Sequence, residues 1–379
     1  MSSSRPQSST NTQRPLREPD VMLSDLTDEL IWPRILRAPA LAIAPNRLLS
    51  GCLGVFLIAL ILNIYNWLRS ISNPRDAFSQ ADLIAPTISQ RFEGIMQAII
   101  TLDAPAFAGQ IELAIMALRN SVMNNLVLTL LLGIPIIVVI ALVGGAISRS
   151  VAFEFAQGRF ASREETVHFT LQRSRQYIYA LIAPILFASA LMFIIALGGL
   201  LLSFPVLDIL GGILYPIALI LGAIATIVLV LHVVASPMII PALSIEGTDA
   251  FDAIQRCYAY VIGRPIRYFA YAILLSIVGF LAASVFTMII GLSMEMTDWS
   301  LNFFFSHSIE SALTGEGDLG ATKSLAHSAI EAFRGVLRIL IAGYFVSLFY
   351  TSGTLLYLAI RRICDGQGIT EIWEPVEEA

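Results

Sequence analysis

The segment that most constrains this chain runs from Gln176 to Ile245 and carries a single carboxylate, Asp208, and a single histidine, His232. A helix needs about 20 mostly apolar residues to cross the hydrocarbon core of a bilayer, so a segment of about 70 residues holds two spans. A short hairpin at 204–208 separates them. A soluble domain does not tolerate so long an uncharged run, and the segment therefore predicts an integral membrane protein.

Four further windows that lack Asp, Glu, Lys, Arg and His each hold one more span. Over the whole chain 56% of the residues are hydrophobic, 13% are charged and the mean hydropathy is +0.77, which lies outside the range of soluble globular chains. The predicted fold is an all-α polytopic membrane helix bundle, with six transmembrane helices and additional interfacial amphipathic helices. The spans are predicted at about 48–68, 123–147, 178–203, 210–234, 268–293 and 339–360.

The basic residues predict how the spans are oriented. Of the 23 Lys and Arg residues, 16 fall on the side that includes both termini and seven on the other side. Basic residues near span ends stay in the cytoplasm, so both termini are predicted to be cytoplasmic, in a bacterial inner membrane. The opposite face carries seven basic and 12 acidic residues, which argues against a nucleic-acid partner. Cys52 falls in the first span, and Cys257 and Cys364 on the cytoplasmic side, so no disulfide is expected.

The termini differ in composition from the spans. Within an N-terminal cytoplasmic segment, 1–47, the polar residues 1–19 are predicted to be disordered and residues 24–47 to form an amphipathic interfacial element. The six-helix transmembrane domain follows at 48–361, and residues 362–379 form an acidic cytoplasmic tail.

Two external segments are too long to be bare connections. Helical spacing of apolar residues predicts two helices within 69–121. The loop 295–338 is also expected to be partly helical, starting at a capping box formed by Ser328 and Glu331 or earlier, at Ser324.

The two large cytoplasmic loops each predict a surface helix that leads into a span. Ser162 and Glu165 form a capping box, followed by an apolar face that includes Val167 and Leu171. In the second loop Thr248 or Asp249 caps a helix. Its predicted apolar face consists of Phe251, Ile254, Tyr258 and Val261.

Shifted by 83 positions, the two loops share several residues. Gln172-Arg173 and Tyr177 then coincide with Gln255-Arg256 and Tyr260. A duplicated unit of span, surface helix and span is one explanation. The other is that any two membrane-surface helices share this composition.

Arginines beside these helices are candidates for contacts with lipid headgroups, because their guanidinium groups reach phosphates at the membrane surface. The candidates are Arg173, Arg175, Arg256, Arg264 and Arg267.

His232 is the only ionisable candidate well inside a span. It is either a proton or ligand site, or a neutral histidine near the end of its helix, and we favour the second. Pro135, Pro184 and Pro216 interrupt spans, and packing kinks explain them better than a transport site. The strip of Ala218, Gly222 and Thr226 indicates close helix contact.

Chemistry has few candidates in this sequence. His307 and Glu310, with His327 and Glu331, have spacings that permit a zinc site, but such pairs are common by chance. No phosphate-binding loop, nucleophile elbow or Cys-x-x-Cys pair is present. We therefore expect no cofactor and no catalytic activity.

The most distinctive stretch is 241–268, which combines Pro241, Glu246-Gly247 and an amphipathic helix with Gly263-Arg264-Pro265 before a new span. It resembles bacterial multi-pass membrane proteins grouped with the membrane domain of glycerophosphodiester phosphodiesterases and with the YciC-like proteins. The order of elements matches over about 120–362, and the residue detail only over 241–268. The resemblance implies a helical membrane bundle and brings no catalytic residues, because the phosphodiesterase chemistry belongs to a separate soluble domain.

Three function classes remain. The first is a non-enzymatic scaffold or partner of an envelope complex, in contact with lipid and with a membrane-protein partner or a second copy. The second is a transporter or permease subunit that moves a small solute or lipid, and the third is a lipid-modifying enzyme. The scarcity of ionisable groups inside the spans favours the first over an ion-coupled carrier.

The orientation gives a labelling prediction. In a chain without native cysteines, single cysteines at Ser79 and Gly317 should react with an impermeant maleimide in intact cells. Cysteines at Ser162 and Thr248 should react only after permeabilisation, because the positive-inside bias places their loops in the cytoplasm. Labelling of Ser162→Cys in intact cells would overturn the topology.

Overall fold

The structure is a computed structural model that describes residues 31–72, 126–303 and 321–374, with eight isolated positions between 94 and 116. Every regular element in these ranges is an α-helix. In chain order the helices are α1 (Ile31–Ile35), α2 (Ala38–Ala42), α3 (Pro45–Ser72), α4 (Leu126–Gln157), α5 (Arg163–Gln172), α6 (Ser174–Leu201), α7 (Leu207–Glu246), α8 (Ala250–Gly263), α9 (Pro265–Asn302) and α10 (Ala321–Asp365).

Six of the described helices, α3, α4, α6, α7, α9 and α10, are long and apolar enough to cross a membrane. The chain is therefore a polytopic helical membrane protein, as the sequence predicts. Most of these helices are longer than the predicted spans. With 40 residues α7 is about 60 Å long, twice the thickness of a hydrocarbon core. Such helices must tilt or extend beyond the bilayer.

Packing is densest at the end of the bundle where α4 and α7 finish, called the junction end below. Residues 238–245 of α7 and 353–361 of α10 are all buried there, whereas most apolar side chains of α6 and of the first half of α7 are exposed, as lipid-facing surfaces are. Fully buried side chains of the junction end include Ile147, Val151, Met238, Ile239, Ile245, Leu355 and Ile360.

Helix α7 continues through Pro237 without a break. A proline cannot donate to the carbonyl four residues before it, which here belongs to Val233. The Ser236 hydroxyl donates to that carbonyl instead, at 2.8 Å, and Tyr268 donates to the neighbouring carbonyl of Val234. Hydroxyl groups thus replace the missing backbone donor, and the helix carries on to Glu246.

Glycines let α10 approach its neighbours closely. A Cβ atom on Gly343 would lie 2.6 Å from the backbone nitrogen of Cys52 in α3, and one on Gly353 would collide with the carbonyl of Pro237 in α7. That carbonyl has lost its intrahelical donor, because Pro241 stands four residues later. The backbones of α3, α7 and α10 are therefore in contact, which requires glycine at these crossings.

One face of the described N-terminal element packs into the bundle. Ile35, Ala38 and Ala42 have no exposed surface, because α1 and α2 pack against α10. Ser347 in α10 donates to the Ala42 carbonyl at 2.7 Å. Leu36 and Ile43 are exposed on the other face, and the interfacial position of the segment stays a prediction.

Both surface helices form where the sequence predicts them. The Ser162 hydroxyl accepts from the Glu165 N–H at the start of α5, and the Asp249 carboxylate accepts from the Asp252 N–H at the start of α8. Gly247 ends α7 with φ +59°, and Pro265 begins α9 directly after α8. The order of span, surface helix and span therefore occurs twice.

The 83-residue register does not fit this repeated order. It pairs Arg173, which separates α5 from α6, with Arg256 in the middle of α8. It also pairs Tyr177 in a spanning helix with Tyr260 in a surface helix. By position, the counterpart of Arg173 is Arg264, the residue between α8 and α9.

The buried faces of the surface helices also differ from prediction. In α5 the buried residues are Thr166, Phe169 and Thr170, whereas Val167 and Leu171 are exposed. Both threonine hydroxyls donate to carbonyls one turn earlier, which removes the cost of burying them. In α8, Ile254 and Val261 are buried as predicted, but Phe251 is 74% exposed.

The last span begins earlier than expected. Helix α10 is continuous from Ala321, so Ser328 and Glu331 are interior residues rather than a capping box. Ser328 donates to the Ser324 carbonyl, and Glu331 pairs with Arg334 and Arg338. The predicted helices within 69–121, the disordered segment 1–19 and the final residues 375–379 lie wholly or mainly outside the described residues.

The crossing of α3 and α10 gives a stability prediction. Gly343→Ala places a methyl group against the α3 backbone and should lower the free energy of unfolding by ~1–3 kcal/mol. Gly335→Ala in the same helix is the matched control, because no heavy atom lies within 4 Å of the place its new methyl group would take. Denaturant titration of the purified proteins in detergent measures both. Equal stability of the two variants would contradict the close contact.

Candidate functional site

The last residues of α7, Ser244 to Gly247, contact four other helices and the C-terminal tail. We call this segment the hub. Ser244 and Ile245 are fully buried, and Glu246 and Gly247 are half-buried. Because the hub ends a spanning helix, its backbone carbonyls lack intrahelical donors and need partners from elsewhere in the fold.

Ser244 connects α7 to the first span–helix–span unit. Its hydroxyl shares a hydrogen bond of 2.9 Å with the Tyr177 hydroxyl of α6 and donates to the carbonyls of Ile240 and Gly145. Its carbonyl accepts from Arg149 Nη1 of α4 at 2.7 Å. One serine thus joins α4, α6 and α7 through buried polar contacts.

Arg149 is only 3% exposed, and aromatic rings cover its guanidinium group. The ring centroids of Phe153 and Phe169 lie 4.4 and 4.1 Å from its central carbon. Aromatic faces attract a desolvated cation, and the Ser244 carbonyl takes one of its protons. A positive charge is therefore held inside the protein, beside the hub.

Glu246 is the centre of the charged part of the hub. Its Oε1 accepts from Arg361 Nη1 at 2.6 Å and from the Tyr357 hydroxyl at 3.0 Å, both from α10. Its Oε2 lies 3.6 Å from Arg256 Nη1 of α8. Arg361 is 1% exposed, so the pair is buried on the arginine side. A buried ion pair needs this many hydrogen bonds to offset its desolvation.

Arg361 also holds the C-terminal tail. Its Nη2 donates to the carbonyls of Gly368 and Glu371, each at 2.8 Å. The guanidinium group therefore bridges the carboxylate of α7 and the backbone beyond α10. The predicted acidic tail is thus anchored in its first part by a buried cation.

The tail then crosses the hub. The backbone N–H of Trp373 donates to the Ile245 carbonyl at 2.9 Å. The indole of Trp373 lies over Gly247, where an added Cβ atom would be 2.5 Å from the ring. Arg173 stacks on the same indole at 5.1 Å and donates to the Thr248 carbonyl at 3.2 Å. Gly247 is therefore required both for its positive φ and for the close approach of Trp373.

Burial shifts the ionisation of groups in α8, beside the hub. The Cys257 thiol has no exposed surface, and burial raises its pKa well above the usual range. Burial, together with the hydrogen bond to the Asp365 carboxylate, likewise raises the pKa of the Tyr260 phenol. Both groups stay protonated at neutral pH, so neither supplies a nucleophile or a base.

His232 lies 14 residues before the end of α7, because this helix runs on past Pro237, and so it is not near the helix terminus as the favoured interpretation has it. It is 8% exposed, and the backbone of Leu181 in α6 lies near its ring. Nδ1 has no partner among the described residues. His232 is therefore a buried histidine between α6 and α7.

The five candidate arginines fall into two groups. Arg173 and Arg256 belong to the hub contacts and are half-buried. Arg175, Arg264 and Arg267 are exposed and make no ion pair with any described residue. Of the five, Arg256 thus lies beside the Glu246 carboxylate, and Arg173 contacts the Thr248 carbonyl and the Trp373 ring.

The remaining sequence candidates are the histidine–glutamate pairs and the strip of small residues in α7. Within the described ranges no group of three metal-ligating side chains occurs, and His307 and Glu310 lie outside those ranges. A Cβ atom added to Gly222 of the small-residue strip would lie 3.9 Å from Cδ1 of Ile195 in α6, in agreement with a helix contact.

Sequence reasoning missed the two arginines that contribute most to the hub. Arg149 and Arg361 enter the sequence argument only as basic residues at span ends, which the positive-inside rule assigns to the membrane surface. Both lie inside the protein because α4 and α10 run on beyond their apolar windows. The available signal was Glu246, a carboxylate that directly follows a long apolar span and needs a cation.

The polar groups of the hub bind other parts of the protein. Oε1 of Glu246 accepts two hydrogen bonds, and Oε2 faces the positive charge of Arg256 at 3.6 Å. No protein-family model, curated protein or solved structure matches this chain. The resemblance to the phosphodiesterase membrane domain and YciC-like proteins stays a prediction.

The hub gives a labelling prediction at Cys257. In a Cys52→Ser, Cys364→Ser background, this thiol should resist a maleimide at pH 7 and at pH 9, because it is buried and its pKa lies above both. Glu246→Gln leaves Arg361 without its carboxylate and should cost ~3–5 kcal/mol, making Cys257 reactive.

Asp252→Asn is the matched control for that change. It removes the other carboxylate that pairs with Arg256, at 3.4 Å, but this pair is partly exposed and should be worth under ~1 kcal/mol. Mass spectrometry after timed maleimide exposure gives the rates. Reactivity of Cys257 in the unaltered chain, or equal rates in both variants, would contradict the role assigned to Glu246.

Proposed function

We propose that this chain is a non-enzymatic scaffold of a bacterial inner membrane. The observation that carries the proposal is the hub, in which four consecutive residues fasten both span–helix–span units, α10 and the C-terminal tail at one end of the bundle. A protein whose helices are cross-linked by buried polar contacts presents fixed surfaces to its partners.

The hub also favours a scaffold over a carrier. Alternating access requires one bundle to rock against the other around a central site. Here the Ser244 contacts join α7 to α4 and α6 across the two units, and the Glu246 contacts join it to α8 and α10. Rocking at this end would break buried hydrogen bonds and expose two cations, Arg149 and Arg361, which is costly.

The proline site at Pro237 supports the same view. In carriers, broken helices offer free carbonyls to a substrate. At Pro237 the freed carbonyl of Val233 accepts a hydrogen bond from the Ser236 hydroxyl. This carbonyl is therefore satisfied within α7.

We further propose that the junction end faces the cytoplasm, with both termini there. Lipid is the first partner, and a membrane-protein partner or a second copy is the next, with nucleic acid absent. Arg175, Arg264 and Arg267 are exposed at the ends of spans and suit contacts with lipid headgroups. The apolar, exposed hairpin of α6 and α7 suits a partner within the bilayer.

Distance measurements between spin labels separate a scaffold from a carrier without knowledge of a substrate. One label pair, at His168 and Ile262, reports on the junction end, and a second pair, at Ile213 and Leu292, reports on the spans. All four positions are exposed. We expect one narrow distance distribution for each pair, unchanged between detergent and nanodiscs and between pH 6 and pH 8.

A longer distance in one label pair together with a shorter distance in the other would support the transporter or permease alternative. The scaffold also requires a partner. A photo-reactive residue at Ile213 should therefore cross-link in intact cells to one defined membrane protein or to a second copy. Rigid distributions with no such product would contradict the scaffold.

A further inference from the structure

A polar cleft opens at the junction end, and none of the hub residues lines it. It lies between the first turns of α3, the last turns of α4 and the start of α5. Its polar lining residues are Asn46, Arg47, Ser50, Ser150, Arg163 and Thr166.

Arg47 forms the rigid wall of this cleft. It is 2% exposed, its Nε donates to the Ser150 hydroxyl at 3.2 Å, and its two terminal nitrogens donate to the Leu41 carbonyl and to Glu154. The guanidinium group is therefore locked in place and fixes α3 against α4. A site for a small anion requires such positioning, because little side-chain freedom is then lost on binding.

Two cations, Arg47 and Arg163, line the cleft, and the carboxylate of Glu164 beside Arg163 is exposed and lies outside the lining. Glu154 is paired with Arg47, and Glu165 is paired with Arg159 at 3.0 Å. Arg163 is exposed, lines the cleft and makes no ion pair with a described residue. It also stands in the first turn of α5, where the helix dipole adds to its positive field. The mouth of the cleft therefore attracts an anion.

An exposed apolar stripe on α3 begins beside the cleft. Its residues Leu49, Leu53 and Phe56 are each about half exposed and follow one another along two turns of the helix. On the other side, Phe160 is 81% exposed directly before the start of α5. Acyl chains fit such a stripe, and an aromatic side chain of this kind suits the headgroup level of a membrane.

The volume of the cleft limits where an anion can bind. The inner part of the cleft admits little more than one water molecule. A phosphate must therefore bind at the mouth, where Arg163 supplies the charge and the Asn46, Ser50 and Ser150 side chains supply hydrogen bonds.

We propose that this cleft binds the phosphate group of an anionic phospholipid, with Arg163 as the charged contact and Arg47 as the residue that shapes the wall. The shared chemistry is a phosphate group, and a soluble phosphate is its other source. The site is separate from the hub and does not rest on the scaffold proposal.

Native mass spectrometry of the full chain tests the site. After delipidation, the protein is mixed with phosphatidylglycerol, with phosphatidylcholine or with inorganic phosphate, and the bound fraction is measured. We expect phosphatidylglycerol to be favoured over phosphatidylcholine by ~5–10-fold, and Arg163→Gln to remove that preference, because a charge-assisted contact of this kind is worth about 1 kcal/mol or more.

Arg37→Gln is the matched control, because it removes an exposed arginine that does not line the cleft, and it should keep the preference. Protection of Cys257 from maleimide confirms that each variant is folded. Binding of inorganic phosphate that Arg163→Gln abolishes would support the site with a soluble ligand instead. Equal binding of all three probes by the unaltered protein and Arg163→Gln would overturn the proposal.

Discussion

The ion pair between Glu246 and Arg361 is the contact on which the junction end depends. Glu246 ends the longest apolar segment of the chain, and Arg361 stands near the end of α10, 115 residues away. A buried guanidinium group needs partners for its donors, and here the two terminal nitrogens donate to the carboxylate and to two tail carbonyls, whereas Nε has no partner among the described residues. The Arg361 side chain therefore connects the ends of α7 and α10 with the tail.

The same requirement explains why polar groups are concentrated at one end. In lipid, every backbone group must be satisfied within the protein, so helices that carry prolines need local substitutes. The Ser236 hydroxyl supplies one at Pro237 in α7. At the junction end, Ser244 and Arg149 form hydrogen bonds between helices. The bundle thus combines exposed apolar faces along its spans with buried hydrogen bonds at the junction end.

Local signals in the sequence were sufficient for the caps of α5 and α8 but not for the start of α10. Ser162 and Asp249 cap their helices because a side-chain oxygen needs only an N–H three residues away. Faces and registers were harder to predict. Phe251, assigned to the apolar face of α8, is exposed, and Thr166 is buried in α5 because helix carbonyls accept its hydroxyl. In a membrane, hydrophobicity alone does not tell the inside of a protein from its outside.

The sequence by itself determined that this is a membrane protein with six apolar helices and two surface helices between spans, since these features follow from the length and spacing of apolar runs. Only the tertiary structure decided which charges meet. Arg361 and Arg149 are equivalent in sequence to the exposed Arg264 and Arg267, and they differ because α4 and α10 carry them into the packed junction end. Whether an arginine pairs with Glu246 or stays exposed depends on contacts between residues far apart in the chain.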